Sequence, residues 1–172
     1  KAESAAKEIE FVRSRKDFCS LFTDKISDHT LPLRVTHNDT KLNNVLFDKT
    51  TVKPVAVVDL DTVMPGLSLY DFGDAIRFGT NSAAEDEKDI AKVYCDLNLF
   101  EAFARGYLEE CGHLLTQEEI AMLPYAGKMM TLECGMRFLA DHIAGDVYFK
   151  IHRENHNLDR CRTQFKLVKD ME

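Results

Sequence analysis

No apolar run in the sequence approaches the ~20 residues that cross a bilayer, which excludes a transmembrane helix. The first residues carry no apolar stretch of the signal-peptide kind, so a secretory leader is not expected. The five cysteines, Cys19, Cys95, Cys111, Cys134 and Cys161, are scattered, odd in number and free of CxxC spacing. They argue against a disulfide framework and read as reduced, mostly buried thiols of a cytoplasmic protein. Basic residues are outnumbered, 22 Lys+Arg against 29 Asp+Glu for a net charge of −7, and no basic stripe carries interleaved aromatics. Nucleic acid is therefore not an expected partner. Internal repeats and low-complexity tracts are also missing. What remains is ordinary for one globular domain: 172 residues, 45% hydrophobic and 30% charged, a length at which folding buries roughly two-thirds of the unfolded surface.

The chain is organised around Val35 to Asp61, V-T-H-N-D-T-K-L-N-N-V-L-F-D-K-T-T-V-K-P-V-A-V-V-D-L-D. It reads as a strand, a polar loop, a β-hairpin and an acidic loop. Val45-Leu46-Phe47 and Val55-Ala56-Val57-Val58 flank a turn from Asp48 to Lys53, and neither run alternates, so both strands are expected to be covered on both faces. Pairing counted outward from Thr50-Thr51 brings Asn44 opposite Val57 to Asp59. Asn44 and Asp59 then share the open end of the hairpin, where the loop from His37 also delivers Asp39. An amide oxygen and two carboxylates converging there suit a hard cation such as Mg²⁺.

His37, Asp39 two residues on, Asn44 five further and Asp59 at the end of the next apolar strand follow the order of a kinase catalytic loop and its metal-binding aspartate. In H-N-D-T-K-L-N-N-V-L-F and V-V-D-L-D the chain resembles the aminoglycoside phosphotransferase and choline kinase family of small-molecule kinases. These segments, with L-Y-D-F-G-D-A-I-R-F and R-F-L-A-D-H-I-A-G-D-V-Y-F-K, are most similar to its N-acetylhexosamine 1-kinase branch, over about residues 30 to 155. The resemblance implies a mainly helical α+β fold, the C-terminal lobe of a protein-kinase-like architecture with a small β-hairpin at the catalytic loop. It implies ATP and Mg²⁺ as cofactors and a small-molecule acceptor, an amino sugar above others. Nothing before His37 supplies a glycine-rich phosphate loop or a strand lysine, so residues 1–172 are expected to form that lobe alone, with the nucleotide-binding N-terminal lobe absent and the isolated lobe nearly inactive.

Asp39 is the expected general base, since a loop carboxylate can accept the proton of an attacking hydroxyl. Lys41 can offset charge on the transferred group. Asn44 and Asp59 are expected to hold Mg²⁺, with Asp61 a further metal ligand or a brace of the loop. The resemblance implies that His37 props the catalytic loop, that Asp71 hydrogen-bonds its backbone, and that Arg137 binds the sugar or its new phosphate. Against that last role stands a surface ion pair of Arg137 with Asp141 at i, i+4. Asp74 and Arg77 are expected to pair with each other at i, i+3.

Residues 2–26 read as an amphipathic helix broken near Asp17, the long helix underlying the catalytic loop in the kinase reading. Ser68 is expected to cap a helix through Phe78, and Leu99 to Cys111 a helix whose aromatics are core. Thr116 to Glu119 reads as a capping box. Pro124 is expected to kink or divide the helix that follows, which Gly145 ends. Tyr148, Phe149 and Ile151 are expected to pack on the lobe, and His152 and His156 to be solvated. Asn157 is expected to cap a last helix with Leu158, Cys161, Phe165 and Val168 inward.

Aminoglycoside or choline phosphorylation, a metal-dependent phosphohydrolase and a noncatalytic kinase-like binding module compete with this reading. Two-metal hydrolysis needs more converging carboxylates and histidines than the sequence offers. The intact set Asp39, Asn44 and Asp59 argues against a module that has lost catalysis.

Overall fold

A computed structural model describes every residue, Lys1–Glu172. The fold is α+β and mainly helical. Three short helices, α1 (Ala6–Arg13), α2 (Lys16–Cys19) and α3 (Leu21–Ser27), lead to strand β1 (Arg34–Thr36). The hairpin strands β2 (Val45–Phe47) and β3 (Pro54–Val57) follow, then β4 (Met64–Gly66), α4 (Ser68–Gly79), α5 (Leu97–Cys111), α6 (Gln117–Ala144) and α7 (His156–Asp170). The long helix is thus α6; the segment expected to supply one breaks at residues 14–15 and again at Ser20.

α6 is the axis. Its N-terminal half packs Leu123, Ala126 and Met129 against Phe22 of α3 and Leu69, Phe72 and Ile76 of α4. Its C-terminal half packs Leu132, Phe138 and Leu139 against Ala5 and against Leu158, Cys161, Phe165 and Val168 of α7. The helix starts at the capping box, with Glu119 N–H donating to Thr116 Oγ1 at 3.1 Å and Thr116 N–H donating to the Glu119 carboxylate at 2.8 Å. It runs unbroken through Pro124 and ends at Gly145, φ 109°, a left-handed cap that glycine adopts without strain. One missing N–H within a helix buried along its length is outweighed by packing on both sides.

Two small antiparallel sheets carry the site. β1 pairs with β4, Thr36 opposite Met64, and β2 pairs with β3, Val45 opposite Val57. The hairpin is not covered on both faces: Val55 and Val57 are 64% and 55% exposed. Apolar runs without alternation do not by themselves report burial, and neither strand carries a fully buried residue.

Other local expectations change too. Ser68 begins α4 without capping it; its hydroxyl donates to buried Glu119 at 2.7 Å. Asn155, not Asn157, precedes α7, because the Asn157 amide is spent on Asp141 and Asp146. α5 carries no fully buried residue. Its aromatics Phe100, Phe103 and Tyr107 lie against Phe72 from one side only. Tyr148 is exposed, while Phe149 packs on Phe138 with ring centroids 4.8 Å apart. All five thiols are free, and Cys95 and Cys161 are the buried ones. No helix is long and apolar enough to cross a membrane.

Candidate active site

The loop from His37 to Lys41 leaves β1 and is fixed from below. Asp71, in the first turn of α4, accepts the backbone N–H groups of His37 and Asn38 at 2.8 and 2.7 Å. The Thr40 hydroxyl donates to the Asp71 carbonyl at 2.5 Å. From the side, Thr62 Oγ1 donates to the His37 carbonyl and Asn38 Nδ2 to the Thr62 carbonyl. His37 Nε2 lies 3.0 Å from the Val58 carbonyl, tying the loop to the end of β3. Asn38 has φ 62°, a left-handed conformation that asparagine tolerates better than most residues.

Asp39 projects from the braced loop. One oxygen, Oδ2, accepts from Lys41 Nζ at 2.7 Å and from Asn44 Nδ2 at 2.9 Å. Oδ1 accepts nothing. Partial burial pushes the Asp39 carboxyl up, but the hydrogen bonds from Lys41 and Asn44 overcome it and hold the group below the ordinary carboxylate value. Asp39 is thus an ionised carboxylate at neutral pH with one oxygen open.

Asn44 is buried and closes a short 3-10 turn that enters β2. Its Nδ2 is committed to Asp39, which leaves Oδ1 to face another group. The Val58 N–H donates to the Asn44 carbonyl at 2.9 Å, so Asn44 and Asp59 stand at the same end of the hairpin. Asp59 has φ 63°, a left-handed outlier held where β3 stops. Neither Asp59 nor Asp61 accepts a hydrogen bond from the protein, whereas Asp39, Asp71 and Asp141 all do. Carboxylate and amide oxygens are the donors Mg²⁺ takes, and the backbone bond to Val58 brings Asp59, at least, to the Asn44 end of the hairpin. No group of three histidines, cysteines or acids forms a cage, so Asn44 and ligand oxygens would have to complete any such site.

Asp39 and Lys41 also line a cleft of ≈ 590 Å³ with Asn38, Asn43 and Thr62. Its remaining wall comes from α4, α6, α7 and the segment 147–155, and includes Arg77, Arg137, Lys150, His152 and Arg160. The expected Arg77–Asp74 pair forms, 2.8 Å apart and buried, yet Arg77 still reaches the cleft. The Arg137–Asp141 surface pair does not form. Asp141 turns inward and accepts backbone N–H groups from Val147, Tyr148 and Phe149 at 2.8–3.0 Å, holding the cleft's outer segment. Arg137 instead lies 3.7 Å from Glu133 and 5.5 Å from the Phe149 ring centroid. His156 is buried rather than solvated: its Nδ1 accepts the His152 N–H, and its Nε2 lies 2.9 Å from Asp86. Lys150 and Arg160 carry no spacing signal that places them near Asp39; the segment between α6 and α7 and the first turns of α7 bring them to its cleft.

A family model described as the phosphotransferase enzyme family matches residues 12–110, more than half of the chain. The match contains His37, Asp39, Lys41, Asn44, Asp59, Asp61 and Asp71. It stops before α6, so Arg137, Lys150 and Arg160 lie outside it.

Proposed function

The chain belongs to the phosphotransferase enzyme family, and from that premise we propose that it forms the catalytic, C-terminal lobe of a kinase-like enzyme. In this reading it transfers a phosphoryl group from Mg-ATP to a hydroxyl of a small polar metabolite, best an N-acetylated hexosamine at its anomeric position. The observation that carries the reading is the ionised Asp39, with one open oxygen at the edge of a cleft and Asn44 hydrogen-bonded to the other.

The acceptor hydroxyl donates to Asp39 Oδ1, and its oxygen attacks the terminal phosphorus as the bond to the departing diphosphate breaks. The proton passes to Asp39, and the new phosphate ester takes the transferred group. Lys41 and Asn44 fix the carboxylate so that its lone pair faces the cleft, which supplies orientation without reorganisation during the step. Asn44 Oδ1 and Asp59 would hold the magnesium ion, which neutralises phosphate charge when bound; Asp61, two residues on, would be a further ligand or a brace of the loop. Arg137, which lines the cleft, would contact the sugar or its ester.

The cleft's charge supports the acceptor class. Five lining side chains, Lys41, Arg77, Arg137, Lys150 and Arg160, are cationic, against the carboxylates of Asp39 and Glu85. Polycationic aminoglycosides and choline would meet like charge there. N-acetylation removes the charge of an amino sugar and with it that conflict.

The test is Mg-ATP-dependent transfer by the full-length protein across N-acetylhexosamines, aminoglycosides and choline. The expected result is transfer to an N-acetylhexosamine that falls by about 10²-fold or more in Asp39→Asn, with nucleotide affinity near normal. Transfer to cationic acceptors alone would remove the sugar assignment. Transfer to nothing would remove the kinase reading.

A further inference from the structure

We propose that the cleft beside Asp39 is built to hold an anionic oxygen group of the acceptor, a carboxylate or a phosphate, on Arg77, Arg137, Lys150 and Arg160. This narrows the acceptor class and rests on the kinase reading for the reaction, but not for the binding.

The cationic side chains are only partly satisfied by the protein. Arg77 is 8% exposed yet lines the cleft; its Nε donates to Asp74 at 2.8 Å and its Nη1 to Glu85 at 3.2 Å, and Nη2 donates to nothing. Arg160 donates through Nη1 to the Lys150 carbonyl and to Asn157 Oδ1, while its buried Nε has no hydrogen-bond partner and lies 3.8 Å from the same Glu85 carboxylate. One carboxylate is therefore shared between two guanidiniums. Lys150 has no acidic partner. Arg137 stands beyond hydrogen-bond distance of Glu133, whose own carboxyl burial pushes up. The neighbouring Cys134 thiol is pushed up by burial to about 12, stays neutral and offsets nothing.

A protein of net charge −7 gathers these cations at one concave place. Like charges held together at a half-buried surface repel, and an oxygen anion placed among them relieves that repulsion while gaining charge-assisted hydrogen bonds. Glu85 shows how an anion is held there: its carboxylate is gripped by Arg77 within hydrogen-bonding distance. Its loop is anchored by Asp86, which contacts Arg153 and His156, so the cleft keeps its shape without the acceptor. The free Nη2 of Arg77, Arg137 and Lys150 remain for a second anion. The cleft of ≈ 590 Å³ accommodates a monosaccharide with such a substituent.

The test is titration calorimetry of this chain at low salt with two matched pairs. N-acetylglucosamine 6-phosphate is compared with N-acetylglucosamine, and glucuronic acid with glucose, so that each pair differs only by a phosphate or a carboxylate. At least one anionic sugar is expected to bind about tenfold or more tightly than its neutral twin, and the pair that shows it identifies the group. The preference should fall to near parity in the double variant Arg137→Gln, Lys150→Gln, whose side chains are solvent-exposed, and should persist in Asp39→Asn. Equal affinities within both pairs, no binding by either anionic sugar, or a preference that survives the double variant each overturn the proposal. An anion preference without phosphoryl transfer to any acceptor leaves this site standing and removes the kinase reading. Transfer to a neutral sugar with equal affinities does the reverse.

Discussion

Asp71 shows how much of this site depends on a residue that is not expected to meet the substrate. Its two carboxylate oxygens each take one backbone N–H of the loop from His37 to Lys41, so the position of Asp39 is set by a helix seventy residues into the chain. Asp71→Asn keeps the size but offers one acceptor and one donor, leaving a backbone N–H facing an amide N–H. The cost should be about 1–3 kcal/mol of stability, with kcat falling by about 10–100-fold as the base shifts and nucleotide KM little changed. Denaturant melts beside steady-state kinetics separate the two effects, and a loss of stability with kcat intact would confine Asp71 to folding. Asp59 makes the opposite case, a carboxylate with no protein donor. Asp59→Asn, which keeps a side chain that tolerates the left-handed φ of 63°, should leave the melting temperature nearly unchanged and strongly weaken Mg-dependent nucleotide binding by the full-length protein. Undiminished binding would take it out of the metal set.

Among elements, the crossing of α4 and α6 sets the floor of the cleft, and it is closed by glycine. A Cβ on Gly73 would stand 2.4 Å from the Ala126 carbonyl oxygen, a backbone atom that cannot step aside. Gly73→Ala should therefore destabilise by about 1–3 kcal/mol, read as a lower denaturation midpoint with an unchanged slope. Gly79 ends the same helix with nothing within 4 Å of a built Cβ. Gly79→Ala should be neutral or stabilise by up to about 1 kcal/mol. If both variants behave alike, backbone propensity rather than close approach governs this helix.

Across the whole molecule, Glu119 joins three parts. Its carboxylate closes the α6 capping box, accepts the α4 hydroxyl of Ser68 and receives a two-pronged pair from Arg34 of β1 at 2.6 and 2.7 Å. Burial alone would raise this carboxyl, but the Arg34 and Thr116 hydrogen bonds outweigh it and draw it down from 4.5 to about 2. A folded-state value below the unfolded one contributes stability that is fully present above pH 4.5 and is lost as pH falls toward about 2. The group is 1% exposed, so the contribution is about 3 kcal/mol. Glu119→Gln should cost about that much at neutral pH, because Arg34 loses its partner, and its stability should fall less steeply than wild type between those pH values. Parallel pH curves for the two proteins would refute the assignment.

The sequence by itself determined what local physics determines. The hairpin with Asn44 opposite the end of β3, the Thr116 capping box, the Gly145 stop, the inward stripe of α7 and the grouping of Asp39 with Asn44 all follow from short-range spacing and turn chemistry, which operate wherever the chain folds; the bulge between Leu46 and Phe47 that shifts the pairing does not. Tertiary structure alone decided which apolar runs are covered. Val55 and Val57 read as doubly buried, yet stand exposed because burial belongs to the partner surface and not to the strand. It also decided where long side chains spend their charge. Asp141 left its i, i+4 neighbour Arg137 for three backbone N–H groups that a helix wheel does not show. His156 found Asp86 across a loop. Lys150 and Arg160 reached the cleft only because the segment after α6 and the start of α7 fold back toward the loop from His37, so that residues more than a hundred positions apart line one cavity, which no spacing rule encodes.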